Sequence, residues 1–336
     1  MNKNSRNGLI TFIVIIFIAL GVCTYKVVQN KKSTSNTYNG GTITTYSNYS
    51  KSYSKIYKND YVAALYIEGT IEEYNYDYDQ KWLLSTVDSL KYDYNNKGLA
   101  IFINSPGGAV YQADELYLAL KDYKDAGKPI YVYQGSMAAS GGYYISCAAD
   151  KIYANRNTLT GCIGVIFGSS YDLTGLFEKI GIKSETIHSG SNKNMFNYNE
   201  PVTDEQRKIM QQISDECYEQ FVSIVADSRN MTYKQAEALS DGRLYTAAQA
   251  LNNGLIDKIG TWDNMLNDLC DEEINKPGIR IVEFHKSKKI TFMDYLMNSV
   301  TEFSNAQTAA TLGLPKSVIE DMNGFNSYPA YLYKPD

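Results

Sequence analysis

Ser140 sits in Gly135-Ser136-Met137-Ala138-Ala139-Ser140-Gly141-Gly142-Tyr143-Tyr144-Ile145. This run of small residues lies between an apolar stretch, Pro129-Ile130-Tyr131-Val132-Tyr133, and the segment Ile145-Ser146-Cys147-Ala148-Ala149. The pattern predicts a strand, a tight turn and a helix start. A serine between Ala139 and Gly141 on such a turn is sterically open, and free N–H groups of the helix N-terminus surround it. That setting suits an acyl-transfer nucleophile, which needs access for a carbonyl and donors for the oxyanion that forms. The same residues also suit a plain Gly/Ala turn packed on a neighbouring strand, so the local pattern leaves both readings open.

A second turn strengthens the chemical reading. Ile101-Phe102-Ile103 reads as a buried strand that ends in Asn104-Ser105-Pro106-Gly107-Gly108-Ala109-Val110. The segment from Gln112 to Ala126 follows it, with Ala113, Leu116, Leu120 and Tyr123 at helical spacing. Pro-Gly-Gly is also an ordinary turn. Yet two glycine-rich strand-to-helix turns in consecutive units point to the same end of a parallel sheet, where α/β proteins place their sites.

These residues resemble a known family. Asn104-Ser105-Pro106-Gly107-Gly108, the Gly135–Tyr144 run and Leu159-Thr160-Gly161-Cys162-Ile163-Gly164-Val165 are similar to the half-length bacterial signal peptide peptidase A. The resemblance extends from about Tyr61 to about Met265. It implies a membrane-bound serine protease with the Clp/crotonase-type α/β/α fold, Ser140 as nucleophile, and a lysine in a later loop as general base. In Ser189-Gly190-Ser191-Asn192-Lys193-Asn194 that lysine maps to Lys193. The family commonly has a serine where this chain has Cys162, placed to hydrogen-bond the base. A thiol is a weaker partner, so Thr160 or a water is left to support the amine.

Lys193 can be argued from chemistry as well. A lysine accepts a proton only when neutral, and its ordinary pKa of about 10.4 must fall by roughly 3 units to serve near neutrality. A nearby carboxylate would oppose this, and the sequence neighbours of Lys193 are Asn192 and Asn194. Most lysines are simply solvated. The rival base is histidine, and the chain has 2. His188 falls on an expected strand, Ser184-Glu185-Thr186-Ile187-His188, with no evident carboxylate to orient it. His285 follows Ile281-Val282-Glu283-Phe284, far beyond the matched region.

The elements that must hold these residues are those of an α/β chain. Tyr61 to Ile71 is strand-like and Trp82 to Tyr92 helical, and the units 99–126 and 130–149 supply successive strand–helix repeats. Thr203-Asp204-Glu205-Gln206 is a capping box opening a long helix to about Ser228, with Ile209, Ile213, Cys217 and Val225 on one packing face. Thr246 to Leu255 reads as a helix with a glycine cap, and Ile279 to Phe284 as a strand.

Lys3 and Arg6 precede an uncharged apolar run, Leu9 to Tyr25, which at 1.5 Å per residue reaches roughly 26 Å, just enough for a bilayer core. A cleaved signal peptide competes with an uncleaved anchor, and the anchor is favoured. The expected organisation is a membrane anchor over 1–30, a Ser/Thr/Asn/Tyr-rich flexible tether over 31–58, a peptidase domain over 59–270, and a C-terminal extension over 271–336. In that extension Tyr328-Pro329-Ala330-Tyr331-Leu332-Tyr333 reads as a packing or oligomer contact.

A net charge of −5 gives no reason to expect nucleic-acid binding. The 5 cysteines show no Cys-x-x-Cys, and no metal or cofactor is expected. The reading is a membrane-anchored serine endopeptidase with a Ser140–Lys193 dyad and an oxyanion hole from the N–H groups of Gly108 and Gly141. By resemblance its substrates are remnant signal peptides and other extended apolar segments. The resemblance also implies a ring-shaped homo-oligomer in the cell membrane with the peptidase domain on the extracytoplasmic side. The alternatives are an acyl-CoA hydratase-type enzyme on the same fold and a catalytically silent scaffold that binds membrane proteins.

Overall fold

The central strands are β1 (Tyr61–Glu68), β2 (Asn96–Ser105) and, beyond the short β3 (Gly107–Ala109), β4 (Ile130–Ala139). They pair in parallel, with β2 between β1 and β4. Strict alternation sends Tyr61, Ala63, Leu65 and Ile67 of β1, with Leu99, Ile101, Ile103, Ile130 and Val132, into one apolar layer. Val62, Ala100, Tyr131 and Tyr133 enter a second layer on the other face. Burial on both faces is why these strands read as nearly continuous apolar runs.

The first face is covered by α1 (Gln80–Tyr92), α2 (Val110–Asp125) and α3 (Gly141–Ser146), whose buried residues join the same layer. The sheet forks at Gly135. The first half of β4 pairs with β5 (Lys151–Ala154), and the second half with β6 (Leu159–Gly161). Next come α4 (Thr174–Ile180), α5 (Asp204–Ser228) and α6 (Tyr233–Ala238). Strand β7 (Leu244–Thr246) then runs antiparallel to β6, and α7 (Ala247–Asn252) leads to β8 (Lys258–Ile259) beside β5. The second face is covered by α8 (Trp262–Asn267) and a π-helical turn, Asp268–Glu273. Finally β9 (Arg280–Phe284) adds to β1 in parallel, and β10 (Ala330–Leu332) pairs antiparallel with β3.

This computed structural model describes residues 58–168, 171–286 and 330–332, all within one unit running from Thr45 to the C-terminus. The anchor over 1–30 and, but for Lys58, the tether lie outside the described residues. So does the extension from residue 287 to 329 and from 333 onward. Among the described residues no helix is long and apolar enough to cross a membrane.

Local signals carry through to the helices. Thr203 and Gln206 form the expected capping box, and Thr246 with Gln249 forms another. Gly254, at φ +74°, closes α7: its N–H reaches Leu251 O and that of Leu255 reaches Ala250 O, a Schellman motif. Three expectations need correction. Residues 135–139 continue β4 up to Ser140, so the turn is confined to that single residue. Ser184–His188 is not a strand, because among the described residues no neighbouring strand pairs with it. The buried residues of α5 are Gln206, Phe221, Val222, Val225 and Ala226, with Ile209, Ile213 and Cys217 only half-buried.

Candidate active site

Ser140 is the single residue between β4 and α3, and it is 1% exposed. Its φ of 52° and ψ of −115° place an L-residue where only glycine is at ease. Such strain costs of order 1–3 kcal/mol and persists where the surroundings over-determine it. Both backbone groups are fixed: the N–H donates to Gly161 O at 2.7 Å, and the carbonyl accepts from Tyr144 N at 2.9 Å. The hydroxyl is what the turn leaves for chemistry. The next residues, Gly141 and Gly142, open α3, and their N–H groups lack carbonyls one turn earlier in that helix.

Asn104 sets the path of the chain before Ser140. The β2–β4 register jumps from Ile103↔Gln134 to Ser105↔Ala138, so Gly135, Ser136 and Met137 bulge opposite Asn104 alone. The Asn104 Oδ1 accepts from Ser136 Oγ at 2.6 Å and from Met137 N at 3.2 Å, which fills the gap in the ladder.

The second glycine turn lies alongside as β3. Ile71 N donates to Gly107 O and Ala109 N donates to Ile71 O, both at 2.8 Å. Backbone groups alternate along an extended strand, so the N–H and C=O of Gly108 face the opposite edge. There β10 pairs Tyr331 with Gly108. The Gly108 position admits no side chain, since a Cβ would stand 1.9 Å from the Ile71 carbonyl oxygen. Cα atoms of α3 come within 8 Å of both β3 and β10, so the edge that receives an extended segment borders the helix that Ser140 begins.

The remaining sequence candidates fall in two groups. Thr160 is buried in β6 and its hydroxyl donates to Ala138 O at 2.8 Å, two residues before Ser140. Cys162 follows Gly161, whose carbonyl holds Ser140. Its own φ is 51°, its N–H donates to Arg243 O at 2.9 Å, and burial pushes its thiol pKa up. Lys193 lies apart, exposed on the turn that follows α4, with its N–H on Gly190 O at 3.0 Å. Among the described residues it makes no ion pair and no hydrogen bond to Ser140. The nearby carboxylates are engaged by its neighbours: Asn192 Nδ2 donates to Glu205 Oε1 at 3.1 Å, and Asn194 to Glu200.

Neither histidine stands in for it. His188 is exposed, with Nδ1 3.1 Å from Gly190 O. His285 follows β9, stacked on Tyr66 at 4.6 Å and 3.1 Å from Glu283 Oε2. Three strand spacings separate β9 from β4, about 14 Å.

The sequence reading passed over the roles of Ile71, Asn104 and Ser105. The available signal was two polar residues ending an apolar strand directly before Pro-Gly-Gly.

Comparison with known proteins bears on the chemistry. Residues 122–274 match Peptidase family S49, a span that includes Ser140 and Lys193 and excludes Gly108. The chain is 35% identical over 236 residues to an Enterococcus faecium protein provisionally named signal peptide peptidase SppA, covering 70% of this chain and 67% of that one. It is 28% identical over 221 residues to Protease 4 of Haemophilus influenzae, covering 64% of this chain and 35% of that one. Among solved structures, a mutant of a membrane-bound stomatin-specific protease matches at TM-score 0.46 and 16% identity, covering 69% of this chain and 100% of that one. The overlap with the Enterococcus protein, joined to the family match across Ser140, makes this chain a member of peptidase family S49 and a serine peptidase.

Proposed function

We propose that the protein is a membrane-anchored endopeptidase of the Clp/crotonase type whose nucleophile is Ser140 and whose general base is Lys193. The observation that carries the reading is the strained Ser140 turn beside an edge, Gly107–Ala109, on which an extended segment of the chain already lies antiparallel. Antiparallel addition to a strand edge binds a peptide by its main chain, whatever its sequence. Substrates bound this way must be extended, which fits remnant signal peptides and other unfolded apolar segments.

In the reaction, neutral Lys193 takes the proton of Ser140 Oγ as the oxygen attacks the peptide carbonyl carbon. The N–H groups of Gly108 and Gly141 hold the oxyanion. Collapse of the tetrahedral species breaks the C–N bond, and the lysine returns its proton to the departing amine. Water, deprotonated by the same amine, then hydrolyses the acyl-enzyme. Lys193 reaches Ser140 in an assembled ring, where a second copy covers the segment that carries it. That segment supports the idea: α4 has no buried residue, and Ile180, Ile182 and Ile187 are exposed, Ile187 at 94%. The apolar run near the N-terminus supports anchorage in the cell membrane, and the family resemblance supports an extracytoplasmic peptidase domain.

The test is Ser140→Ala in purified full-length protein. Hydrolysis of a fluorogenic apolar peptide should vanish while assembly and thermal unfolding stay at wild-type values, because one hydroxyl is removed from a small-residue turn. Turnover at the wild-type rate would show that Ser140 is not the nucleophile.

A further inference from the structure

We propose that Ser105 is a positioning residue that fixes the oxyanion strand relative to the nucleophile, an inference that rests on Ser140 and Gly108 acting as described above. Ser105 ends β2 and is fully buried. Its hydroxyl donates to Gly69 O at 2.6 Å and accepts from Gly107 N at 3.1 Å. The oxygen therefore ties the first residue of β3 to the chain leaving β1, whose Gly69 N–H in turn donates to Asn104 O at 3.1 Å. Gly107 adopts φ +104° directly after Pro106, and in that conformation its N–H turns back to the Ser105 hydroxyl oxygen.

The main chain of the same residue bears on the nucleophile side. Ser105 pairs with Ala138, two residues before Ser140. Its carbonyl oxygen lies 3.1 Å from where a Cβ on Gly142 would stand, so α3 begins in contact with it. One residue thus references both donors: through its side chain the strand of Gly108, and through its backbone the helix start of Gly141. Oxyanion donors act over a narrow range of distance, and a misplacement of about 1 Å costs on the order of a hundredfold in rate. The clamp from Ile71 fixes β3 along one edge. At its N-terminal end Ile71 N–H holds the Gly107 carbonyl, and the Ser105 hydroxyl holds the Gly107 N–H and links it to Gly69 O.

The experiment compares Ser105→Ala and Ser105→Cys with Ser240→Ala in full-length protein. Ser240 is a buried hydroxyl of the same kind that donates to Ala236 O, remote from β3 in the chain, and it controls for lost stability alone. The readouts are kcat and KM for an apolar fluorogenic peptide, together with the affinity of a peptide boronate, which forms a tetrahedral adduct on the serine. Ser105→Ala should lower kcat by about tenfold to a hundredfold, with KM within about threefold, and boronate affinity should fall in step with kcat. Ser105→Cys, which keeps the shape and a weaker hydrogen bond, should fall between Ala and wild type, and Ser240→Ala should keep wild-type kcat. The proposal fails if Ser105→Cys matches wild type in kcat and boronate affinity, if the loss lies wholly in KM, or if Ser240→Ala loses as much. Should Ser105→Ala not fold, Ser105→Cys alone decides. A Ser140→Ala variant that still turns over peptide overturns the peptidase chemistry itself. An inactive Ser140→Ala beside a fully active Ser105→Cys overturns only the role of Ser105.

Discussion

Replacing Gly108 by alanine tests whether the oxyanion strand is held where the chemistry needs it. The added Cβ would lie 1.9 Å from Ile71 O, 2.6 Å from Ile71 C and 2.7 Å from Ile71 N, all backbone atoms that cannot rotate away. Strand β3 must therefore leave Ile71, breaking the two hydrogen bonds at 2.8 Å. At about 1 kcal/mol net for each, the loss in stability is about 2 kcal/mol. For a domain of this size that corresponds to a fall of about 4–8 °C in Tm. On the proposed mechanism the same displacement moves the Gly108 N–H out of the oxyanion hole, and losing one such donor lowers kcat by about 10²–10³-fold. Gly175→Ala is the control for unfolding alone: no atom of the same chain outside its own helix lies within 4 Å of its Cβ, and alanine within α4 should be neutral or stabilising by up to about 1 kcal/mol. Thermal unfolding and steady-state hydrolysis on the same preparations separate the two effects. A Gly108→Ala protein with wild-type Tm and wild-type kcat would refute both the clamp by Ile71 and the role of Gly108 as donor.

Lys193→Arg should be nearly as inactive as Lys193→Ala, because a guanidinium stays protonated and cannot take the Ser140 proton; an arginine variant with substantial kcat/KM in assembled protein would end the general-base assignment. A chain truncated after residue 328 lacks β10, so its KM for added apolar peptide should fall at least severalfold, since a tethered competitor acts at an effective concentration on the order of millimolar; an unchanged KM means the tail and the substrate use different edges. Lys128 is half-buried, its amine donating to Leu90 O at 2.7 Å and Asp93 O at 2.8 Å, and burial lowers its pKa to about 8 from 10.5. The unfolded chain therefore holds the proton more tightly, and the cost of keeping the ammonium buried disappears as pH rises from about 8 toward 10.5. Urea unfolding across that window should show wild type gaining stability relative to Lys128→Met, and parallel curves would contradict it.

Much of the framework is legible in the amino-acid sequence because its causes lie within a few residues of one another. The capping boxes at Thr203 and Thr246 and the glycine stop at Gly254 are satisfied inside a single turn, so residue type and spacing identify them. The apolar runs of β1, β2 and β4 report burial on both faces directly. Ser140 is also marked in sequence, since only a serine among glycines and alanines leaves a hydroxyl on so tight a turn.

The tertiary structure decides whatever depends on a distant partner. Ser184–His188 has strand-like residues and stays irregular, whereas Gly107–Ala109, two glycines and an alanine of low strand propensity, becomes a strand. Strand formation depends on a neighbour that accepts the ladder: Ile71 and Ala330–Leu332 supply it for the glycines, and none of the described residues does for His188. Arg280–Phe284, assigned from sequence to the extension, joins the main sheet because β1 has a free parallel edge. The positive φ of Ser140, the Asn104 filling of the β4 bulge and the Ser105 bridge across 36 residues to Gly69 are likewise set by packing between elements. Sequence names the atoms that can react; the long-range backbone hydrogen bonds, which no local window contains, fix the positions of Ser140 and the Gly107–Gly108 strand.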